Sequence, residues 1–272
     1  MKRSIAYTLI VVLCLGLIGA LVVVGRQRQA QALNEQTAAY HRGSAKHASQ
    51  QAGSGAATAK VKKPVAAQSA AAKAKAAQLR AVGQGQTLNL AVMGDDIAAA
   101  KADGGFQYQL RDYLQTTLGY TVDVSGNWAT GATIGGTGLW QVTSIAAKQP
   151  GLVIVEYGTN EQDQQNRYFA HTNTLQINLT ALLNDLRGRL PNAKLVVLTS
   201  WRQAADTGAD YDTAIRAAAT AAGASVVDLS AQWAKASNSA TDHWPTKAGQ
   251  RAIAQAVIKQ ALVPIYVPEA LR

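Results

Sequence analysis

Residues 88–96 read LNLAVMGDD, a largely apolar run broken abruptly by a glycine and two carboxylates. A short Leu/Val-rich run ending on turn-forming residues reads as a buried strand, with the acids where the chain leaves the sheet. The same pattern recurs at 120–124 (YTVDV), 152–156 (LVIVE), 194–199 (KLVVLT) and 224–228 (ASVVD). Amphipathic segments near 105–118, 137–148, 172–190, 209–222 and 247–261 fall between these runs and after the last of them. Strands alternating with helices predict an α/β three-layer sandwich around a five-stranded parallel sheet. Ligands of such sheets sit beyond the carboxyl ends of the strands. Chemistry is therefore sought at Gly94-Asp95-Asp96, Ser125 to Gly131, Tyr157 to Glu161, Ser200-Trp201-Arg202 and Asp242-His243-Trp244-Pro245.

Outside this domain, expected to span 86–272, the composition changes. The chain holds 26 Lys plus Arg against 16 Asp plus Glu, a net charge of +10, but residues 86–272 carry 14 basic and 15 acidic side chains. The excess lies at the N-terminus, so a nucleic-acid-binding face on the folded part is not supported. Ile5 to Val24 has no charged residue, and ~20 helical residues match a ~30 Å hydrocarbon core. Residues 1–25 are thus expected to form a transmembrane signal-anchor, with Lys2 and Arg3 holding the N-terminus in the cytoplasm and the domain outside it. The competing reading is a cleaved signal peptide ending at Ala30-Gln31-Ala32. Residues 26–85, rich in Ala, Gln and Lys, are expected to be a mostly disordered linker, with a transient helix after Pro64 that lacks an apolar stripe. Its lysines could bind anionic lipid or wall polymer, or simply be solvated.

The post-strand loops together resemble the SGNH (GDSL-type) hydrolases, esterases and acyltransferases on a flavodoxin-like sheet, over roughly 88–262. Gly94-Asp95 matches the start of the family's Gly-Asp-Ser, Gly131 in WATGATIGG its second-block glycine, Gly158-Thr159-Asn160-Glu161 its Gly-x-Asn-Asp, and His243 in DHWPTKAGQ its final histidine. The resemblance implies that Gly131 and Asn160 supply oxyanion donors and that His243 is the general base. At the nucleophile position, however, Asp96 replaces serine, and the acid expected three residues before the histidine is Ala240. A carboxylate beside the donors would resemble the oxyanion they are meant to stabilise.

Other residues carry alternatives. Asp95 either shapes the nucleophile turn or caps a helix; Asn160 is a donor or a turn residue; His243 is the base or a surface histidine; His171 is read as a residue at a helix start. Trp128, Trp201 and Trp244 fall in crevice-side loops and could stack on sugar rings or fill space, whereas Trp140 and Trp233 are expected to face the core. Asp206, Asp210 and Asp212 read as a solvated helix start rather than a calcium loop. With one cysteine and no phosphate-cradling loop, neither metal nor organic cofactor is expected. Two functions follow: an exported, membrane-tethered SGNH-type hydrolase or acyltransferase of acylated cell-envelope glycans, with hydrolysis impaired or lost, or a non-catalytic glycan-binding or scaffolding module. Phosphoryl or alkyl transfer through Asp96 is a third, unsupported by any other residue.

Overall fold

The computed structural model describes residues 65–99, 105–201, 208–240 and 244–272. The apolar span, the basic segment before Pro64, and His243 lie outside them. No described helix is long and apolar enough to cross a membrane.

Five strands, β1 (Thr87–Gly94), β2 (Thr121–Trp128), β3 (Leu152–Glu156), β4 (Lys194–Leu198) and β5 (Ser225–Val227), form one sheet in the order β2-β1-β3-β4-β5. All neighbours are parallel. The chain moves outward from β1 to β2, then returns across β1 to β3. The crevice of an open parallel sheet lies where the order reverses, here between β1 and β3.

Period-two alternation assigns the side chains of β1 to opposite layers. Leu88, Leu90 and Val92 pack with Phe106, Leu110 and Leu114 of α3 (Phe106–Thr116) and Ile253 and Val257 of α8 (Lys247–Val257). Ala91 and Met93 pack with Val142 and Ile145 of α4 (Leu139–Ala146), Leu179 and Leu183 of α5 (Thr172–Arg189) and Ile215 of α6 (Ala209–Ala221). Each of the larger side chains among these contributes about 1.5–3 kcal/mol on burial, so one apolar run ties both helical layers to the sheet. The short helices α2 (Asp96–Ala99), α7 (Ser230–Trp233) and α9 (Val263–Tyr266) complete the folded part.

The structure departs from the sequence reading in three places. Strand β2 continues to Trp128, past the expected end at residue 124; as an edge strand it is only half-buried there and needs no apolar run. Helix α4 begins earlier, through a π-helical turn over Ile134–Gly138 whose start is capped by Thr133 accepting from Gly136 N at 3.1 Å. The stretch after Pro64 forms a full helix, α1 (Val65–Ala81). It lacks a stripe but docks by its last turn: Leu79 packs on the core, Arg80 Nε donates to Thr116 O at 3.3 Å, and Gly83 N to Leu118 O at 2.7 Å. The compact unit thus begins at Pro64 rather than near residue 86.

Candidate active site

Strand β1 delivers Gly94, Asp95 and Asp96 to the crevice, and α2 starts at Asp96. Gly94 is required by close approach: a Cβ there would lie 2.7 Å from Ala98 Cβ and 2.8 Å from a Glu156 carboxylate oxygen. Asp96, 7% exposed, turns its carboxylate across to the next two loops. Its Oδ2 accepts from Gly131 N at 2.6 Å and from Asn160 Nδ2 at 2.8 Å. Gly131 sits at φ +74°, a left-handed conformation that favours glycine. Asn160 is fixed by a second donation, to Ala132 O at 3.0 Å, and Asn166 Nδ2 donates to Gly131 O at 3.3 Å.

Two further buried side chains hold this arrangement. Glu161 bridges the two donor loops: Oε1 accepts from Ile134 N at 2.6 Å and Oε2 from Gly158 N at 2.9 Å. From α8, Gln250 Oε1 accepts from Phe106 N and its Nε2 donates to Ile97 O, both at 2.9 Å. Gln107 Nε2 adds a donation to Ala98 O at 3.0 Å. The turn bearing Asp96 is therefore clamped from α3 and α8.

Electrostatically the floor is acidic. Asp95, Glu156 and Glu161 are all 1% exposed or less, and none of the ion pairs described, Arg111–Asp112, Arg189–Asp185 and Arg216–Asp228, involves them. Burial pushes the Asp95 carboxyl up to about 8, against the Ile97 N–H bond that favours the charge and with the Glu161 and Asp96 charges adding to the rise. Glu156 is likewise raised by burial and by the Asp95 charge, and Glu161 to about 6 by burial. Asp95 Oδ1 accepts from Ile97 N at 2.9 Å, but Oδ2 is buried without a donor. Burial and mutual repulsion favour a proton on this pair, and a protonated carboxyl would be a donor where a carboxylate is not.

Of the residues singled out from sequence, Asp96, Gly131 and Asn160 converge on one point, and Asp95 caps the turn beside them. His243 lies outside the described residues. Among the described residues, Ser239 and Pro245 form an antiparallel bridge and Ala240 N donates to Trp244 O at 2.8 Å. His171 stands at the start of α5 with its ring against Phe169. The tryptophans need correction. Trp201 is 2% exposed and part of the core, so it cannot form a binding platform. Trp128 and Trp244 are half-buried against the same core. Trp140, expected inside, is 82% exposed, because the inward stripe of α4 runs through Leu139, Val142, Ile145 and Ala146 and Trp140 lies off it. Asp212 is not solvated: it is 6% exposed and its Oδ1 accepts from Ser200 N at 3.1 Å and Ser200 Oγ at 2.8 Å. Asp206 lies outside the described residues.

Glu156, Asn166 and Gln250 escaped the sequence reading. Glu156 closes an apolar strand and reads as its polar boundary, and the other two carry no spacing signal. Glu161 was visible in the Gly-x-Asn block, but not as the strut between loops.

No functionally curated protein matches the sequence. Solved structures do. TesA is 26% identical with a TM-score of 0.56 over 65% of this chain and 99% of its own. The acetylxylan esterase Axe2 of Geobacillus stearothermophilus is 16% identical with a TM-score of 0.56, over 66% of this chain and 95% of its own. A putative GDSL-like lipase of Parabacteroides merdae is 16% identical with a TM-score of 0.57, over 67% and 99%. Residues 92–252, more than half of the sequence and all of the loops that build the site, match one family, and by that match the chain belongs to the GDSL-like lipase/acylhydrolase family.

Proposed function

We propose that this is a family member whose hydrolytic site is filled from within, and which serves as a glycan-binding or scaffolding module tethered outside the cytoplasmic membrane. Ester hydrolysis or acyl transfer on acylated envelope glycans is the ancestral chemistry. The observation that carries the reading is the position of Asp96 Oδ2, 2.6 Å from Gly131 N and 2.8 Å from Asn160 Nδ2. Those donors act in catalysis only if they are stronger partners of a transient oxyanion than of the resting site. Here a resident carboxylate oxygen already takes both, and the serine that would attack is absent. Attack by Asp96 on an ester would in any case give a mixed anhydride that must itself be hydrolysed.

Support for a carbohydrate partner comes from the acetylxylan esterase among the structural neighbours and from the half-buried Trp128 and Trp244. Support for tethering is the uncharged run from Ile5 to Val24, followed by a basic stretch suited to anionic lipid or wall polymer. The test is hydrolysis of a chromogenic acetate ester by the full chain, Asp96→Ser and Asp96→Ala. The parent is expected at background and Asp96→Ser above it. Turnover by the parent, whether Asp96→Ala abolishes it or leaves it unchanged, would overturn the filled-site reading. Resistance of the chain to alkaline extraction from membranes checks the anchor.

A further inference from the structure

We infer that the crevice over Asp96 receives a hydrogen-bond donor, specifically the protonated amine of a 2-amino sugar, in preference to the N-acylated sugar. The inference rests on the filled-cradle reading and names its ligand. A carboxylate offers about four lone-pair directions over two oxygens. Gly131 and Asn160 occupy Oδ2 only, and among the described residues nothing donates to Oδ1. The Oδ1 oxygen of this largely buried acid is not shut away from solvent, and it can take a compact donor from outside the protein. The exchange of serine for aspartate reverses the polarity of the position. A hydroxyl beside two donors suits an acyl carbonyl, whereas a carboxylate that has taken those donors repels one.

The surroundings favour a cation over a neutral hydroxyl. Asp95, Glu156 and Glu161 lie buried at the ends of the same two strands or just beyond them. Three buried carboxyls with no ion pair among the described residues make this floor acidic. No described basic group pairs with Asp96, so an ammonium entering the crevice would make a charge-assisted bond of the stronger kind. An acetamide on the same nitrogen would bring a carbonyl oxygen towards Oδ1 and find its donors taken. Trp128, in register with Gly94 at the same end of the sheet, is half-buried against the core, and the exposed part of an indole can lie against a sugar's C–H face.

The experiment is calorimetric titration of the detergent-solubilised full chain at pH 5.5 with two probes of equal length, a glucosamine tetramer and an N-acetylglucosamine tetramer. The amine tetramer is expected to bind at least tenfold more tightly. Asp96→Asn, which keeps the shape and loses the charge, should weaken it at least tenfold. Asp96→Ser, which empties the cradle, should reverse the order in favour of the acetylated tetramer and gives an independent reading if Asp96→Asn folds poorly. Asp123→Asn, on an exposed position of β2, should change neither and controls for diffuse charge attraction. Equal or tighter binding of the acetylated tetramer by the parent, absence of binding by both, or indifference to Asp96→Asn in a folded protein overturns the inference. Any of these with a parent inert towards the acetate ester leaves the filled cradle standing, whereas parent turnover removes both.

Discussion

Asp95 and Asp228 each follow a strand of the same sheet, and their carboxyls are driven in opposite directions. Asp95 leaves β1, which has a neighbouring strand on each side, and burial pushes it up to about 8. Asp228 leaves β5, the edge strand; there burial is partial and is outweighed by hydrogen bonds from Ser230 and Arg216, which hold the group below its ordinary value. The lesson is that position in the sheet, rather than residue type, decides whether an acid opposes or supports the fold. At the centre two helical layers exclude water, and among the described residues no basic side chain pairs with the acids there. At the edge an arginine can lie alongside with its head in solvent, 2.8 Å from Asp228 Oδ2.

The contrast can be broken by substitution. The largest effect is expected at Glu161, because Glu161→Ala leaves the Ile134 and Gly158 N–H groups unpaired in a dry site. Two lost charge-assisted bonds amount to roughly 3 kcal/mol, read as a lower urea midpoint at unchanged slope. A loss below about 1 kcal/mol would mean that water replaces the strut.

Next is Asp95→Asn. The amide keeps the acceptor for Ile97 N and donates towards Glu156, standing in for the shared proton. Because the folded-state value of Asp95 is raised from 3.8 to about 8, its contribution is fully present below about 3.8 and is lost as pH rises through about 8. Glu161, raised from 4.5 to about 6, acts in the same sense over its own window. The parent should therefore melt at a lower temperature at pH 8.5 than at pH 5.5. Asp95→Asn should raise the pH 8.5 melting point by roughly 5 °C, on the order of 2 kcal/mol, and the pH 5.5 value by a smaller amount, because pH 5.5 lies only part of the way through the window. A parent whose melting point climbs steadily from pH 5.5 to 8.5 would contradict the buried-pair assignment.

Gln250→Ala removes the partners of Phe106 N and Ile97 O, for about 1–2 kcal/mol. Hydrogen exchange should rise first in α2 and the start of α3; uniform acceleration across the sheet would show a general loss of stability instead of a local clamp. The smallest effect belongs to the edge. Arg216→Ala separates a pair whose side chains are 42% and 40% exposed, and solvent screening limits the loss to about 0.5 kcal/mol. Since Asp228 is held low, that loss should be seen at neutral pH and fade in acid.

Much of the architecture was legible because it depends on periodicity. The Val-rich runs located all five strands, and the acids and glycines at their ends located the loops of the crevice. What periodicity could not carry was phase and context. Trp140 lies off the stripe of α4 that Leu139, Val142 and Ile145 turn inward, and Trp201 shows that a residue just beyond a strand can still point into the core. Asp212 reads as a solvated helix start in the sequence, but Ser200, twelve residues earlier, donates to it in the buried interior. The helix after Pro64 was read from propensity as transient; its docking depends on Leu79 and Arg80 meeting residues far along the chain.

The amino-acid sequence by itself determined the order of strands and helices, the exchange of serine for Asp96 and the concentration of basic charge before the domain, since each is a matter of local pattern or identity. Only the tertiary structure decided that Asp96 reaches the Gly131 and Asn160 donors, that Glu161 ties their loops together and that Glu156 Oε2 accepts from Asp95 N. Those are distances between segments tens of residues apart. They are set by which strands lie side by side and by how much water the covering helices exclude.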